Sequence, residues 1–377
     1  MNKIKVVRLV TSNYCVKTHL HNVLKRVPNN IELFVIGDEV SIFTNKYKRV
    51  KFIDLPIKRN FNLYYDFLVF FKLIFLYFTI KPEICHSIMT KAGLLNCLVC
   101  KILNIKSVHT FTGQIWKTEK GIKRYLLKLN DMLIAKFSTK CLSDSYSQST
   151  FLFDNNIKKN KNKIDVLGNG SISGVDLKVF SPDVKLKYKS IMRKELFIPD
   201  DAFVISFIAR KSTEKGAIDI LEIFQKVLMK KKVFLLFAGP DESNGLVAKF
   251  LNSNPHLNKY IIVLDFINDH FKYISVSDLN CLPSHREGFG SIVIDSSAMG
   301  VPSLGYNIPG LIDSIENNFS GILFKEGNIN CFAEKIVYLA NNRDELLKLS
   351  TQSYKYCKQN FDADLINDLK YNYYFKK

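Results

Sequence analysis

A chain of 377 residues with 47% hydrophobic side chains is long enough for two domains with cores of their own, and no repeat or low-complexity segment marks it as a solenoid or a disordered tail. Its net charge of +19 is confined to one half: residues 1–190 hold 32 Lys and Arg against 13 Asp and Glu, whereas residues 191–377 hold 22 of each. The first half is therefore expected to meet something anionic, and the eight cysteines, without framework spacing, exclude a disulfide scaffold and suit a reducing cytoplasm.

The first 30 residues carry charges throughout, so no signal peptide is expected. From there short β-rich runs alternate with helix-length stretches. "IKVVRLVTS" (4–12), "IELFVIGD" (31–38), "RVKFIDLP" (49–56), "EICHSI" (83–88), "KSVHTFT" (106–112), "TKCLSDS" (139–145) and "KIDVLGNG" (163–170) read as strands. Helices are expected at 61–80, 90–103 and 119–138. The first of these, "FNLYYDFLVFFKLIFLYFTI", has the length of a membrane span, but Asp66 and Lys72 interrupt it, and each costs about 2.5–3.5 kcal/mol near a bilayer centre. It is read as a buried or interface-lying helix. Cys97-Leu-Val-Cys100 lies in an apolar run with no second pair and reads as core, not metal.

The stretch "SPDVKLKYKSIMRKELFIPDD" (181–201) reads as a linker. The alternation then restarts with "FVISFIAR" (203–210), "VFLLFAGP" (233–240), "IIVLDFI" (261–267), "DLNCLPS" (278–284), "PSLGYN" (302–307) and "GILFKEG" (321–327). Strands alternating with helices mean parallel sheets covered on both faces, here an α/β chain of two doubly wound domains, 1–190 and 191–355. The remainder, 356–377, is expected to form a helix crossing back to the first domain.

Chemistry concentrates in "HREGFGSIVIDSSAMG" (285–300). A strand ends near Ser284, the glycines at 288 and 290 allow a turn whose N–H groups can approach a ligand, and a helix opens at Ser291. Strand, glycine-containing loop and helix N-terminus together suit a diphosphate. Glu287 precedes the turn, and Asp295 is expected about two turns into the helix. Carboxylates at those positions can accept from sugar and ribose hydroxyls. "IARKSTEKG" puts Arg210 at the end of the domain's first strand and Lys215 at the start of the next helix, both placed to reach a pyrophosphate.

These motifs resemble the large family of retaining glycosyltransferases often called family 4, which has the GT-B fold of two Rossmann-like domains facing a cleft. Its signature is Glu-Gly-Phe-Gly, a second Glu eight residues after the first, then Gly-x-Pro; this chain has Glu287-Gly288-Phe289-Gly290-Ser291, Asp295 and Gly300-Val301-Pro302. The resemblance covers roughly 105–345, and "VLGNGSISGVDLKVFSP" and "TGQIWKTEKGIKRYLL" are similar to first-domain segments of bacterial O-antigen and capsular polysaccharide members. It implies Glu287 as the catalytic residue at the donor sugar, Arg210, Lys215 and the 288–291 backbone at the diphosphate, and Asp295 at the ribose. Three departures stand out. Asp295 replaces the usual Glu; Thr112 stands where the family's His would be, so Thr112, Gly113 and Gly170 are the only first-domain site residues carried over; and "NIPGLID" puts Asp313 where many members have Glu.

The resemblance implies an enzyme moving a hexose or N-acetylhexosamine from a nucleoside-diphosphate sugar, UDP being expected, to a polyprenyl-diphosphate-linked glycan. Expected with it are no cofactor, no metal, no nucleic-acid partner, and peripheral, electrostatic binding to an anionic membrane surface on the cytoplasmic face of the inner membrane. Two other readings stand beside it: a UDP-sugar epimerase on the same plan, for which no first-domain acid or base is evident, and a basic nucleic-acid-binding protein, for which no helix-turn-helix, RNP-like or zinc pattern is present.

Overall fold

A computed structural model describes residues 3–58, 62–157 and 164–375; residues 61, 163 and 376–377, the ends of three expected elements, lie outside the described residues. The chain divides into two compact units: Met1–Gly174 with Ala363–Lys377, and Val175–Asp362.

The first unit is built on seven strands, β1 (Ile4–Ser12), β2 (Ile31–Asp38), β3 (Val50–Asp54), β4 (Ile84–Ile88), β5 (Lys106–Phe111), β6 (Lys140–Ser143) and β7 (Ile164–Val166). All pair in parallel, in the order β3-β2-β1-β4-β5-β6-β7. Val6, Val10, Leu33 and Val35 face one core; Val7, Leu9, Phe34 and Ile36 face the other. That alternation of two apolar faces is why the central strands read as unbroken Val/Ile/Leu runs. Helices Leu63–Ile80 and Thr90–Ile102 cover the second of these cores, and helix Gly121–Phe137 closes a neighbouring one with Trp116. The other face is sealed by helix Ala363–Phe375, whose Tyr371 hydroxyl donates to the Val23 carbonyl at 2.9 Å. Its Tyr374 hydroxyl accepts from Arg8 at 2.8 Å and lies 2.7 Å from His86 Nδ1.

The second unit repeats the plan with β8 (Phe203–Ile208), β9 (Val233–Ala238), β10 (Ile261–Leu264), β11 (Leu279–Leu282), β12 (Ser303–Tyr306) and β13 (Gly321–Phe324), parallel throughout in the order β10-β9-β8-β11-β12-β13. Each sheet reverses direction beside its first strand, between β1 and β4 and between β8 and β11. In open α/β sheets ligands bind outside the carboxyl ends of the strands at such a reversal.

The expected domain boundaries are displaced. The division falls at Gly174/Val175 rather than 190/191, and at Asp362/Ala363 rather than 355/356. Residues 181–201 are mostly not a linker: Ser181 caps helix Pro182–Glu195 by accepting from Val184 N, with Pro182 in the first turn. The helix is fixed into the second unit by Arg193, which is buried and donates to the carbonyls of Pro199, Asp200, Ala202 and Val276. Lys187 and Lys194 are exposed while Lys185 and Lys189 are half-buried, and that density of lysines looks like a linker in sequence. Similarly, Arg343–Asn360 is one unbroken helix, so no boundary can fall at 356. With this division, the first unit holds 31 basic against 13 acidic residues and the second 23 against 22.

Candidate active site

At the β8/β11 reversal three loops converge. The first follows β8 and carries Arg210. The second is the short turn Thr213–Lys215 that opens helix Ala217–Leu228. The third follows β11 and runs from Ser284 through Gly290 into helix Ser291–Ala298. Gly216 joins the turn to its helix at φ +74, and a Cβ there would stand 1.9 Å from the Pro283 carbonyl oxygen. Only glycine lets the second and third loops approach this closely. The contact is reinforced by a backbone bond from His285 N to Glu214 O of 2.9 Å.

This approach brings together residues 72 positions apart in the sequence, Lys215 with Glu287 and Glu214 with Arg286. Lys215 Nζ lies 2.7 Å from Glu287 Oε1, whose side chain is 9% exposed. Ser284 Oγ donates to the same carboxylate oxygen at 3.0 Å. Arg210 pairs with Glu214 at 2.5 Å and also with Glu242. Arg286 grips the other oxygen of Glu214 from Nη2 at 2.7 Å and from Nε at 3.0 Å. Three cations and three carboxylates thus interleave at one strand edge. Burial on its own would raise the Glu214 carboxyl; Arg286, Arg210 and Lys215 outweigh it and hold it below the ordinary range. Burial likewise opposes the Arg210 charge, and Glu214 and Glu242 more than restore it.

Gly290, at φ +82, is the residue before helix Ser291–Ala298, so the helix's first N–H groups open beside Glu287. Phe289 does not offer its ring to a ligand. It is 3% exposed and packs edge-on against Phe361 at 5.1 Å, leaving only its backbone at the site. Asp295 lies just over one turn past Ser291, not two. Its Oδ2 is 2.9 Å from His270 Nε2. A Cβ on Gly310, at φ +92, would meet the Gly288 and Glu287 carbonyls within 3 Å, so the residue before the short helix Leu311–Ser314, which carries Asp313, packs directly on the glycine turn.

Sequence reasoning missed several members. Glu214 and Arg286 lie inside the quoted motifs, but nothing in their spacing sets them apart from ordinary surface charges. Glu242 lies in a loop and His270 opens the short helix His270–Ile274, and neither sits in a motif. A second chain of bonds was also invisible: Tyr306 donates to Asp219 at 2.7 Å, Asp219 lies 3.3 Å from His285 Nε2, and His285 Nδ1 lies 2.8 Å from Glu326. The Asp219 bond raises the His285 pKa; burial opposes it, and Glu326 adds to the rise.

The first-unit candidates lie apart from that unit's own reversal. Thr112 and Gly113 follow β5, and Gly170, at φ +105, is in the loop after β7. Asp144 links their neighbourhoods: its N–H donates to the Phe111 carbonyl at 3.2 Å, and its carbonyl accepts from Ser171 N at 2.8 Å. His109, on β5, points into the core; burial pushes it down to about 3, and it stays neutral. Among the described residues no group of three or more His, Cys, Asp or Glu could hold a metal ion.

Residues 189–356, which contain this whole second-unit site, match the family model described as glycosyl transferases group 1. Over that region the chain resembles the group 1 glycosyltransferases. Along its length this transferase is 27% identical over 371 residues to the capsular polysaccharide biosynthesis glycosyltransferase CapM of Staphylococcus aureus, covering 92% of this chain and 93% of that one. It is 25% identical over 296 residues to an Escherichia coli UDP-Gal:alpha-D-GlcNAc-diphosphoundecaprenol alpha-1,3-galactosyltransferase, covering 76% and 73%. Its backbone is similar to the crystal structure of HepE from Anabaena in complex with UDP and glucose, with a TM-score of 0.84, 15% identity and coverage of 99% and 100%. The transferase accordingly has the GT-B fold of two Rossmann-like domains expected from its sequence.

Proposed function

We propose that the enzyme transfers a hexose or N-acetylhexosamine from a UDP-sugar to a polyprenyl-diphosphate-linked glycan, with retention of anomeric configuration, in the assembly of a capsule or O-antigen. The observation that carries this reading is the convergence of Arg210, Lys215 and Arg286 with Glu287 at the opening of helix Ser291–Ala298. The names of the relatives support the rest: one is a capsular enzyme, and one takes a UDP-sugar to a diphosphoundecaprenol acceptor.

In this reading the three guanidinium and ammonium groups exchange part of their carboxylate contacts for the donor diphosphate. They then stabilise the charge that grows on it as the glycosidic bond breaks, together with the N–H groups of residues 288–291. Charge supplied in that way does the work for which other sites use a divalent cation, so turnover is expected to persist in EDTA. Glu287 faces the sugar, where positive charge develops. Asp295, one methylene shorter than Glu, reaches the ribose with His270 fixing its second oxygen. With no nucleophile assigned, the acceptor hydroxyl attacks the face the diphosphate leaves, and a phosphate oxygen takes its proton. The acceptor is received by the first unit, and the enzyme works as a peripheral protein on the cytoplasmic face of the inner membrane.

The test is a panel of UDP-, GDP- and dTDP-sugars with short-chain polyprenyl-diphosphate glycans, read by mass, with the product anomer assigned by NMR. A product heavier by one hexose or N-acetylhexosamine, formed from a UDP-sugar with its anomeric configuration kept, is expected. An inverted product, or conversion of the UDP-sugar to an isomer without transfer, overturns the reading.

A further inference from the structure

Helix Leu63–Ile80 has one face in the core and one in water. Val69, Leu73, Tyr77 and Ile80 are buried against β1 and β2. On the opposite side Tyr64 is 70% exposed, Phe67 63%, Phe71 52%, Phe75 68% and Phe78 67%. These positions step by three and four, so the five rings form one stripe along the helix. Among the described exposed positions of this helix the only charge is Lys72. An apolar groove of about 430 Å³ runs beside it, with Ile53, Leu55, Phe71, Phe75 and Leu76 in its lining. A contiguous apolar patch of this kind is the mark of a surface meant to be covered.

What covers it is indicated by the charge at its end. The helix stops at Lys81, in a left-handed conformation, and Lys81 lines a basin of about 790 Å³ with Lys3, Lys5, Lys48, Arg49 and Lys51. The acids there are Glu32, which pairs with Lys51, and Glu83, which accepts from the Lys5 backbone. Lys3, Lys48 and Lys81 make no ion pair among the described residues. The unit around them carries 31 basic against 13 acidic residues. A nucleic acid would answer the cations and leave the aromatic stripe in water. A second copy would bring the same cations and face its own repulsion. Anionic lipid offers both complements at once, acyl chains for the rings and phosphates for the lysines.

We infer that the outer face of helix Leu63–Ile80, with the cationic basin at its C-terminal end, is the surface on which this enzyme lies against an anionic bilayer. The helix lies in the interface rather than across the membrane: its inner face is committed to the core, and no helix among the described residues is long and apolar enough to span. The inference gains its purpose from the lipid-linked acceptor proposed above, but its physics stands separately. It also changes the expected character of binding. A purely electrostatic contact dissolves in high salt, whereas inserted rings give a part that salt does not screen.

Sedimentation with phosphatidylcholine vesicles, with and without phosphatidylglycerol, tests it. The full-length enzyme is expected to bind anionic vesicles at low salt and to keep a measurable fraction of that binding at about 1 M salt, where the Debye length is ~3 Å. Phe71→Ser with Phe75→Ser and Phe78→Ser should abolish the salt-resistant part. Lys48→Glu with Lys81→Glu should weaken low-salt binding about tenfold or more. A Phe75→Trp variant reports directly: the chain's one natural Trp is buried, so blue-shifted emission quenched by brominated lipid marks insertion at position 75. Full release of the wild type by salt, an unshifted Trp at 75, or light scattering that shows a dimer broken by the Phe substitutions overturns the inference. Transfer to a short-chain, water-soluble acceptor should be unchanged in all these variants. Failure of the vesicle arms with that transfer intact refutes the docking surface alone.

Discussion

Asp131 in the first unit and Glu214 in the second are both carboxylates drawn out of water, and they settle on opposite sides of the ordinary carboxylate range. Asp131 is 3% exposed; the bond the structure gives it is from Trp116 Nε1 at 2.7 Å, a neutral donor, and burial pushes its carboxyl up to about 7. Glu214 is held by two guanidinium groups and stays below the usual range despite its burial. The difference teaches that burial sets the cost of an ionised acid and the neighbouring cation decides whether it is met. The first unit spreads most of its cations over its surface and leaves one buried acid, Asp131, with a neutral partner. The second, almost neutral in total, gathers cations and acids at one strand edge. A net charge therefore says where a molecule is attracted, and a local balance says where it binds and reacts.

The largest expected effect comes from breaking the charged cluster at its reacting end. Glu287→Gln should lower kcat by about 10²–10³, on the order of 3–4 kcal/mol, with a modest change in KM, in steady-state kinetics with the true donor. An unchanged kcat would leave Glu287 as no more than a tether for Lys215. Next, Arg210→Ala should weaken UDP binding by about 10–100-fold, or about 1.5–3 kcal/mol, by calorimetry, since Glu214 and Glu242 lose a partner as the diphosphate loses a donor.

The other side of the comparison is sharpened by Asp131→Asn. A folded-state carboxyl raised above its unfolded value contributes stability that is fully present below about pH 4 and lost as the pH rises towards about 7. The variant should melt close to wild type at pH 4 and be more stable at pH 8, by on the order of 2 kcal/mol. Equal melting temperatures at pH 8 would mean that Asp131 has found a cation. The smallest effect is at the ribose end: Asp295→Asn should raise the donor KM several-fold, about 1 kcal/mol, with kcat nearly unchanged, and His270→Ala should do the same by releasing Asp295.

The fold was legible because a parallel sheet buried on both faces writes itself as continuous apolar runs; β1, β2 and β8 to β13 all lie inside the stretches read as strands. The site was legible where chemistry is local, as in Glu287-Gly-Phe-Gly, and illegible where it is assembled. Nothing near Glu242 or His270 announces that the fold will carry each to Arg210 or Asp295. Residues 181–201 misled for a related reason: a helix with one narrow buried seam looks, residue by residue, like a solvated linker. The stripe on helix Leu63–Ile80 was read as apolar, but which side of it faces water depends on packing against β1 and β2, which periodicity cannot rank when both faces are aromatic.

Helix Ala363–Phe375 has a consequence for how the protein is made. It is the last described element to leave the ribosome, yet it seals a face of the sheet whose first strand begins at Ile4. Until it arrives, Arg8, His86 and the backbone of Val23 lack their tyrosine partners, and the apolar face behind them is open to water. The second unit, by contrast, is a single uninterrupted stretch, Val175–Asp362, and can close while synthesis continues. The second unit is thus expected to complete its folding before the first, against the order of synthesis. The unit begun first is finished last, and through that interval the apolar face that Tyr371, Tyr373 and Tyr374 will cover is the part of it that needs shielding from water.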